Sequence, residues 1–151
     1  MALCFVDHFC GAGGLSLGLM AAGMEPAWAY DSDPVAVETH RLNLGPRAAA
    51  ADAKALDPAE IPDADVWVAG VPCQAWSVAG RRRGADDERN LFPDFLRLAG
   101  ARLPAWILIE NVPGLLSWGG GRYFGWILGE RARPGYEARW AALDAADYGV
   151  P

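Results

Sequence analysis

Short apolar runs alternate along the chain with longer stretches that mix apolar and polar positions, and nothing repeats at a fixed period. This alternation predicts βαβ units around a parallel sheet, because a strand buried on both faces reads as a near-continuous apolar run. Leu3 to Phe9 is the first expected strand. The glycine cluster from Gly11 to Gly14 then leads into a helical stretch carrying Leu15, Leu17, Leu19 and Met20, which Gly23 can end. Ala27 to Tyr30 is a short second strand. Asp33 offers an N-cap and Pro34 a first helical position for a helix running to about Asn43, where Gly45-Pro46 stops it. Arg47 to Ala51 is a weak third strand, and Asp65 to Val71 a stronger fourth ended by Pro72. Ala105 to Ile109 is a fifth, preceded by a helical stretch from Leu91 to Arg102. These runs are expected to be buried on both faces. A helix near Tyr123 to Arg133 and a strand near Tyr136 to Leu143 close the chain. Between the fourth strand and the helix after it, Ala75 to Asn90 holds Gly80, Gly84 and a run of charges, and reads as a long mobile loop of the kind that commonly carries function. No internal linker interrupts the pattern, so residues 1–151 read as one domain.

Composition narrows the class. At 151 residues and 52% apolar, the chain can bury a sizeable core. Its net charge of −6, from 13 basic and 19 acidic residues, denies it the overall positive field of a stand-alone nucleic-acid binder, so any such partner has to be met locally. The three cysteines Cys4, Cys10 and Cys73 are odd in number and lack CxxC or Cys/His spacing. That argues against a disulfide framework and against a metal site, and fits a reducing cytoplasm. Neither a membrane-length apolar run nor an export signal is visible, so an unexported chain with no membrane partner is expected.

The chemistry-bearing residues fall at strand ends. Asp7-His8-Phe9-Cys10-Gly11-Ala12-Gly13-Gly14 spans a strand-to-helix turn where glycines let the backbone approach a nucleotide-like ligand, though the G-x-G-G spacing is not that of a dinucleotide fold. Asp31 follows Asp7 by 24 residues, near the spacing at which a carboxylate reaches ribose hydroxyls, and Asp52 ends the third strand. Three successive strand ends with Asp suggest one nucleoside pocket; solvated acids and helix caps are the plainer alternative. Cys73, just past a buried strand in Val71-Pro72-Cys73-Gln74, is either a nucleophile or an inert thiol. Glu110 ends the next strand and would sit beside Cys73 if the two strands are neighbours, where a carboxyl can give or share a proton. Arg81-Arg82-Arg83 with Arg89 forms the one basic patch, suited to phosphate or simply balanced by Asp86, Asp87 and Glu88. His8 and His40 read as structural.

The order of these motifs resembles the first part of a DNA cytosine-5 methyltransferase. The resemblance rests on Asp7-x-Phe9-x-Gly11-x-Gly13-Gly14, on Asp31-x-Asp33-x-x-Ala36-x-x-Thr39-x-x-x-Asn43, on Asp52, on Pro72-Cys73-Gln74-x-x-Ser77-x-x-Gly80 and on Glu110-Asn111-Val112. A sixth segment, Leu143 to Pro151, resembles the one just before the family's Gln and Arg-x-Arg motif. The resemblance implies a Rossmann-like S-adenosylmethionine-dependent methyltransferase sheet with helices on both faces, incomplete at its C-terminal end. It implies a cofactor site formed by Phe9, Gly11, Gly13, Gly14, Asp31, Ser32, Asp52, Pro72 and Leu91, with Asp31 on the ribose hydroxyls and Asp52 on the adenine amino group. Cys73 would add to C6 of a cytosine flipped out of double-stranded DNA while Glu110 holds or protonates N3. Gln74, Ser77, Arg81 and Arg89 would lie in the loop that closes over DNA. Asn111 would brace the Pro-Cys turn, supported by Val112.

Departures from the family pattern shape further expectations. Asp31 replaces the usual Glu and Ser32 an often apolar residue, which predicts weaker cofactor binding. His8 stands where Leu is usual, placing an imidazole against the core. The Arg-x-Arg pair, a further strand and the target-recognition domain do not occur before Pro151, so the chain reads as a truncated fragment or one half of a split enzyme whose partner chain supplies them, inactive without that part. The absent strand would leave the strands ending at Glu110 and near Leu143 unpaired, with apolar surface exposed and poor stability alone. Three alternatives stay open: a cytosine-5 methyltransferase acting on RNA, a non-catalytic module that binds S-adenosylmethionine or a partner, and, least, a dinucleotide-dependent oxidoreductase.

Overall fold

The structure, a computed structural model, describes residues 2–74, 87–132 and 135–150. Its centre is a five-stranded parallel sheet of β1 (Cys4–His8), β2 (Glu25–Asp31), β3 (Ala48–Ala50), β4 (Val66–Gly70) and β5 (Trp106–Glu110) in the order β3-β2-β1-β4-β5. The helices are α1 (Gly14–Ala21), α2 (Pro34–Leu44), α3 (Phe92–Arg102), α4 (Gly114–Ser117) and α5 (Arg122–Ala132). The order reverses at β1, whose C-terminal end faces the crevice between β2 and β4 where open α/β sheets bind ligands.

Side-chain alternation along the strands divides the core into two faces. Phe5, Val66 and Val68 point to one face and pack on Leu15, Leu19 and Met20 of α1. On that side Val37 of α2 packs on Ala29 and Ala48. Val6, Trp67 and Ala69 point to the other face, under Phe92, Phe95, Leu96 and Ala99, whose spacing lines one side of α3. Leu115, Tyr123 and Ile127 extend this larger cluster.

Local signals set the helix ends. Asp33 Oδ1 accepts the Val35 N–H at 2.8 Å, Pro34 opens α2, and Gly45 at φ 98° stops it. Helix α1 starts without a side-chain cap at its own first residues. Its N-terminus instead receives the Asp7 carboxylate from β1, which accepts the Ser16 N–H at 3.1 Å.

Two expectations fail at the C-terminal side. Residues Tyr136 to Leu143 do not form a strand. A ladder needs a partner, and this segment packs on its surroundings instead: the Tyr136 hydroxyl donates to the Pro104 carbonyl, and the Trp140 ring meets Phe124 edge-on at 5.5 Å. The expectation that strands are buried on both faces fails at β5. It lies at the sheet edge, and Trp106 and Leu108 point outward, 69% and 48% exposed.

Candidate functional site

The sheet gathers the sequence-predicted residues at its C-terminal edge. After β1 the backbone takes left-handed conformations at Phe9 (φ 58°), Gly11 (φ 52°) and Gly13 (φ 101°), so the chain turns sharply before α1. Phe9 is held in this conformation by ring packing on Tyr30 and Phe95, at 5.8 and 6.4 Å between centroids. Asp31 at the end of β2 ties the two loops together: Oδ2 accepts the Gly11 N–H and Oδ1 the Asp33 N–H, each at 2.9 Å. Gly14 opens the helix and stays exposed.

Beyond β3, Asp52 closes a turn, its Oδ1 accepting the Lys54 N–H at 2.9 Å and its carbonyl the N–H groups of Ala55 and Leu56. Ser32, Asp52, Pro72, Gln74, Arg89 and Leu91 line an open cleft of about 290 Å³. Lys54 and Glu88, which sequence reasoning missed, complete the lining; Lys54 Nζ donates to the Glu88 carbonyl at 3.0 Å. Arg97 was missed as well: from α3 its Nη2 donates to the carbonyls of Ala53 (2.8 Å) and Leu56 (3.2 Å), fastening the Asp52 turn.

Cys73 and Glu110 fall at adjacent strand ends because β4 and β5 pair in parallel with Gly70 opposite Glu110. Glu110 Oε2 lies 4.0 Å from where a Gly70 Cβ would stand. Asn111 Nδ2 donates to the Val71 carbonyl at 2.9 Å, while its Oδ1 accepts the Val112 N–H at 3.0 Å, which fixes the orientation of the amide. Arg89 is engaged within its own turn: Nε and Nη2 reach the two carboxylate oxygens of buried Asp87 at 2.8 and 2.7 Å, leaving the side chain half exposed. Ser77 and Arg81 lie outside the described residues, as does most of the predicted loop from Ala75 to Asn90.

Burial tunes the groups beneath this edge. It pushes the Asp7 carboxyl up to about 6, against the two Ser16 hydrogen bonds that favour its charge, with Asp31 adding repulsion. It pulls His8 down to about 3 and pushes the Cys10 thiol up to about 12, with Asp7 and Asp31 reinforcing the latter, so Cys10 stays a neutral thiol. The imidazole of His8 is indeed in the core, its Nδ1 3.1 Å from the Tyr30 hydroxyl and its ring against Trp67. Among the described residues no group of three or more His, Cys, Asp or Glu side chains is placed to hold a metal ion, and no helix is long and apolar enough to cross a membrane.

This arrangement matches a known family across its length: the family model for C-5 cytosine-specific DNA methylase covers residues 3–151. The chain belongs to the C-5 cytosine-specific DNA methylase family. The methylase relatives include the Type II methyltransferase M.NgoMIV of Neisseria gonorrhoeae, 40% identical over 93% of this chain and 45% of the relative. Another is M.AquIA of a Picosynechococcus species, 35% identical over 97% of this chain and 66% of the relative. M.MthTI of Methanothermobacter thermautotrophicus is 36% identical over 100% and 46%. The chain thus spans less than two thirds of the length of these methylases. Among solved structures, a DNA modification methyltransferase encoded within an E. coli prophage superposes with a TM-score of 0.73 at 30% identity, covering 90% of this chain and 39% of that one. The S. pombe Dnmt2 methyltransferase superposes with a TM-score of 0.66 at 27% identity, over 84% and 41%.

The cofactor of this methylase family is S-adenosyl-L-methionine. The residues present fit it. A glycine turn with three left-handed residues allows close backbone approach, carboxylates at two strand ends can accept from hydroxyl and amino groups, and Pro72 and Leu91 give the cleft an apolar wall for a base.

Proposed function

We propose that this chain is the cofactor-binding and catalytic part of an enzyme that methylates C5 of cytosine in double-stranded DNA. The observation that supports the proposal is the β4–β5 register, which puts Gly70 opposite Glu110, so that the strand end leading to Pro72 and Cys73 adjoins the one that carries Glu110, while Pro72 also lines the cleft. In this reading Phe9, Gly11, Gly13 and Gly14 line the cofactor, Asp31 holds its ribose hydroxyls, Asp52 takes the adenine amino group, and Ser32, Pro72 and Leu91 border the base. When bound, S-adenosylmethionine supplies an electrophilic methyl group.

Cys73 as thiolate adds to C6 of the flipped-out cytosine, forming a carbon–sulfur bond and pushing electron density to C5. Glu110 holds N3 and shares a proton with it, which favours that addition. Asn111 and Val112 keep the turn and the strand end in register while C5 becomes methylated. Loss of the C5 proton to a base then returns the electron pair and expels the thiolate, so Cys73 is regenerated. In this reading Gln74, Ser77, Arg81 and Arg89 are assigned to the DNA contact, and the bonds to Asp87 preset the Arg89 guanidinium. A cytoplasmic setting keeps Cys73 reduced, in keeping with three unpaired cysteines among the described residues.

The test is transfer of tritiated methyl from S-adenosylmethionine to mixed-sequence duplex DNA by the purified chain, beside a Cys73→Ser control. Transfer by the chain that disappears in the control supports the proposal and overturns the expectation that the chain is inactive without the Arg-x-Arg part. Equal transfer by both proteins removes Cys73 from the chemistry, and no transfer by either overturns the proposal for this chain acting by itself.

A further inference from the structure

Beneath the glycine turn lies a buried hydrogen-bonded chain that the mechanism above does not use. Ser16 Oγ is 2.6 Å from Asp7 Oδ2, and His40 Nε2 is 3.1 Å from Ser16 Oγ. All three side chains are buried, at 0%, 0% and 2% exposure for Asp7, Ser16 and His40. Among the described residues, Asp7 Oδ1 and His40 Nδ1 have no hydrogen-bond partner.

Donor accounting gives this chain a direction. Asp7 Oδ2 already accepts the Ser16 N–H, so it is an acceptor, and a 2.6 Å O···O separation is that of a hydroxyl donating to a carboxylate. Ser16 has only one hydroxyl hydrogen and gives it to Asp7. Its remaining lone pairs therefore accept from His40, which carries a hydrogen on Nε2. The sequence of donation runs from His40 through Ser16 to Asp7, from α2 through the first turn of α1 to β1.

A second observation joins His40 to the same loop. A Cβ on Gly13 would stand 2.9 Å from His40 Cδ2 and 2.4 Å from Leu44 Cδ1, so the backbone of the glycine turn rests directly on the imidazole. Gly13 in turn has φ 101° and leads straight into α1, where Ser16 sits one turn later. His40 thus touches the turn from below and grips the helix that follows it.

We propose that His40 is a positioning residue of the cofactor site: by donating to Ser16 and supporting Gly13 it fixes the glycine turn in its ligand-ready conformation. The proposal rests on the reading of that turn as the cofactor site. His40 itself touches no cofactor. Its side chain acts through the hydrogen bond, so a replacement of similar bulk without a donor loses the function, whereas glutamine, whose amide can reach Ser16, keeps much of it.

The experiment measures binding of S-adenosylhomocysteine to the chain by calorimetry for the wild type, His40→Leu, His40→Gln and Ser16→Ala, with thermal unfolding as a control of folding. Loss of one buried hydrogen bond transmitted to the site predicts roughly tenfold weaker binding for His40→Leu, near-wild-type binding for His40→Gln, and no further loss when Ser16→Ala is added to His40→Leu. Binding by His40→Leu within about twofold of wild type overturns the proposal, since that is below the effect of a single hydrogen bond. So does His40→Gln as weak as His40→Leu. Should His40→Leu fail to fold, Ser16→Ala reads the same link, and wild-type affinity in that variant overturns it. An Asp31→Ala, Asp52→Ala variant separates the two ideas: if it binds as tightly as the wild type, the cofactor-site reading has failed, whatever His40 does.

Discussion

Asn111, the first residue past β5, donates its side-chain amide across 2.9 Å to the carbonyl of Val71, the first residue past β4. The turn that presents Cys73 is thereby tied to the strand end that presents Glu110. Removing the amide leaves the carbonyl of buried Val71 without this donor and frees the turn. Asn111→Ala is expected to lower single-turnover methyl transfer by about 100-fold, the scale of an ångström-sized misplacement of a reacting group. Affinity for S-adenosylhomocysteine should stay within about twofold, because the amide lies outside the cofactor contacts. A matched loss of both quantities would show that the bond holds the whole site rather than the turn.

Asp7 and His8, successive residues of β1, give opposite pH dependences. The folded pKa of Asp7 is raised to about 6, so the folded state binds this proton more tightly than the unfolded chain. Its contribution is most favourable below the unfolded pKa of about 4 and is lost as pH rises through about 6, a swing of about 3 kcal/mol. The folded pKa of His8 is lowered to about 3, so its cost is absent above the unfolded value of about 6.5 and grows by about 1.4 kcal/mol per pH unit on acidification. Between pH 6 and pH 4.5 the two slopes offset one another. Urea unfolding across that range should therefore show Asp7→Asn losing stability as pH falls and His8→Leu gaining it. Parallel profiles for the two variants would rule the linkage out.

Arg97 joins α3 to the turn that carries Asp52 through the carbonyls of Ala53 and Leu56. Arg97→Ala should weaken S-adenosylhomocysteine binding by roughly tenfold, the worth of about one net hydrogen bond. Arg97→Lys, with a point charge in place of a planar fork, should recover only part. If Arg97 acts by placing Asp52, its effect vanishes in an Asp52→Ala background. Additive losses in the double variant would mean that Arg97 acts elsewhere.

The boundaries that sequence reasoning reads well are those marked by residues with one conformational use. Asp33, Pro34 and Gly45 bracket α2 by capping, a fixed φ and a left-handed stop, and Gly11 to Gly14 mark the turn after β1 for the same reason. Whether Cys73 and Glu110 follow adjacent strands depended on which strands pair, and β4 and β5 do pair, with Gly70 opposite Glu110. Contacts between elements were not legible. Arg97 reaches carbonyls more than 40 positions away, and nothing in its surroundings along the chain distinguishes it from a solvated arginine. His40 and Ser16 are separated by 24 positions, and only the packing of α2 on Gly13 brings them together. The misread strand near Tyr136 and the outward-facing residues of β5 have one cause. Apolar periodicity reports what a segment can bury, whereas burial itself is decided by neighbours that the segment does not encode.

That cause carries a prediction for β5. Trp106 and Leu108 share the face of an edge strand over which no helix lies among the described residues, and an open edge with an apolar face is a template for pairing with another chain. Charged residues on such edges oppose pairing, and both side chains are exposed enough that replacing them removes little core packing. Trp106→Lys with Leu108→Lys is therefore expected to reduce concentration-dependent association in light scattering and to lower the binding of an apolar dye. Trp106 begins β5, at the opposite end of the sheet from the cleft, so affinity for S-adenosylhomocysteine should not change. Any loss of fold should stay under about 1 kcal/mol, the span of strand propensities. Association as strong as that of the wild type would place the sticky surface elsewhere, with the exposed Trp140 and Leu143 as the next face to charge.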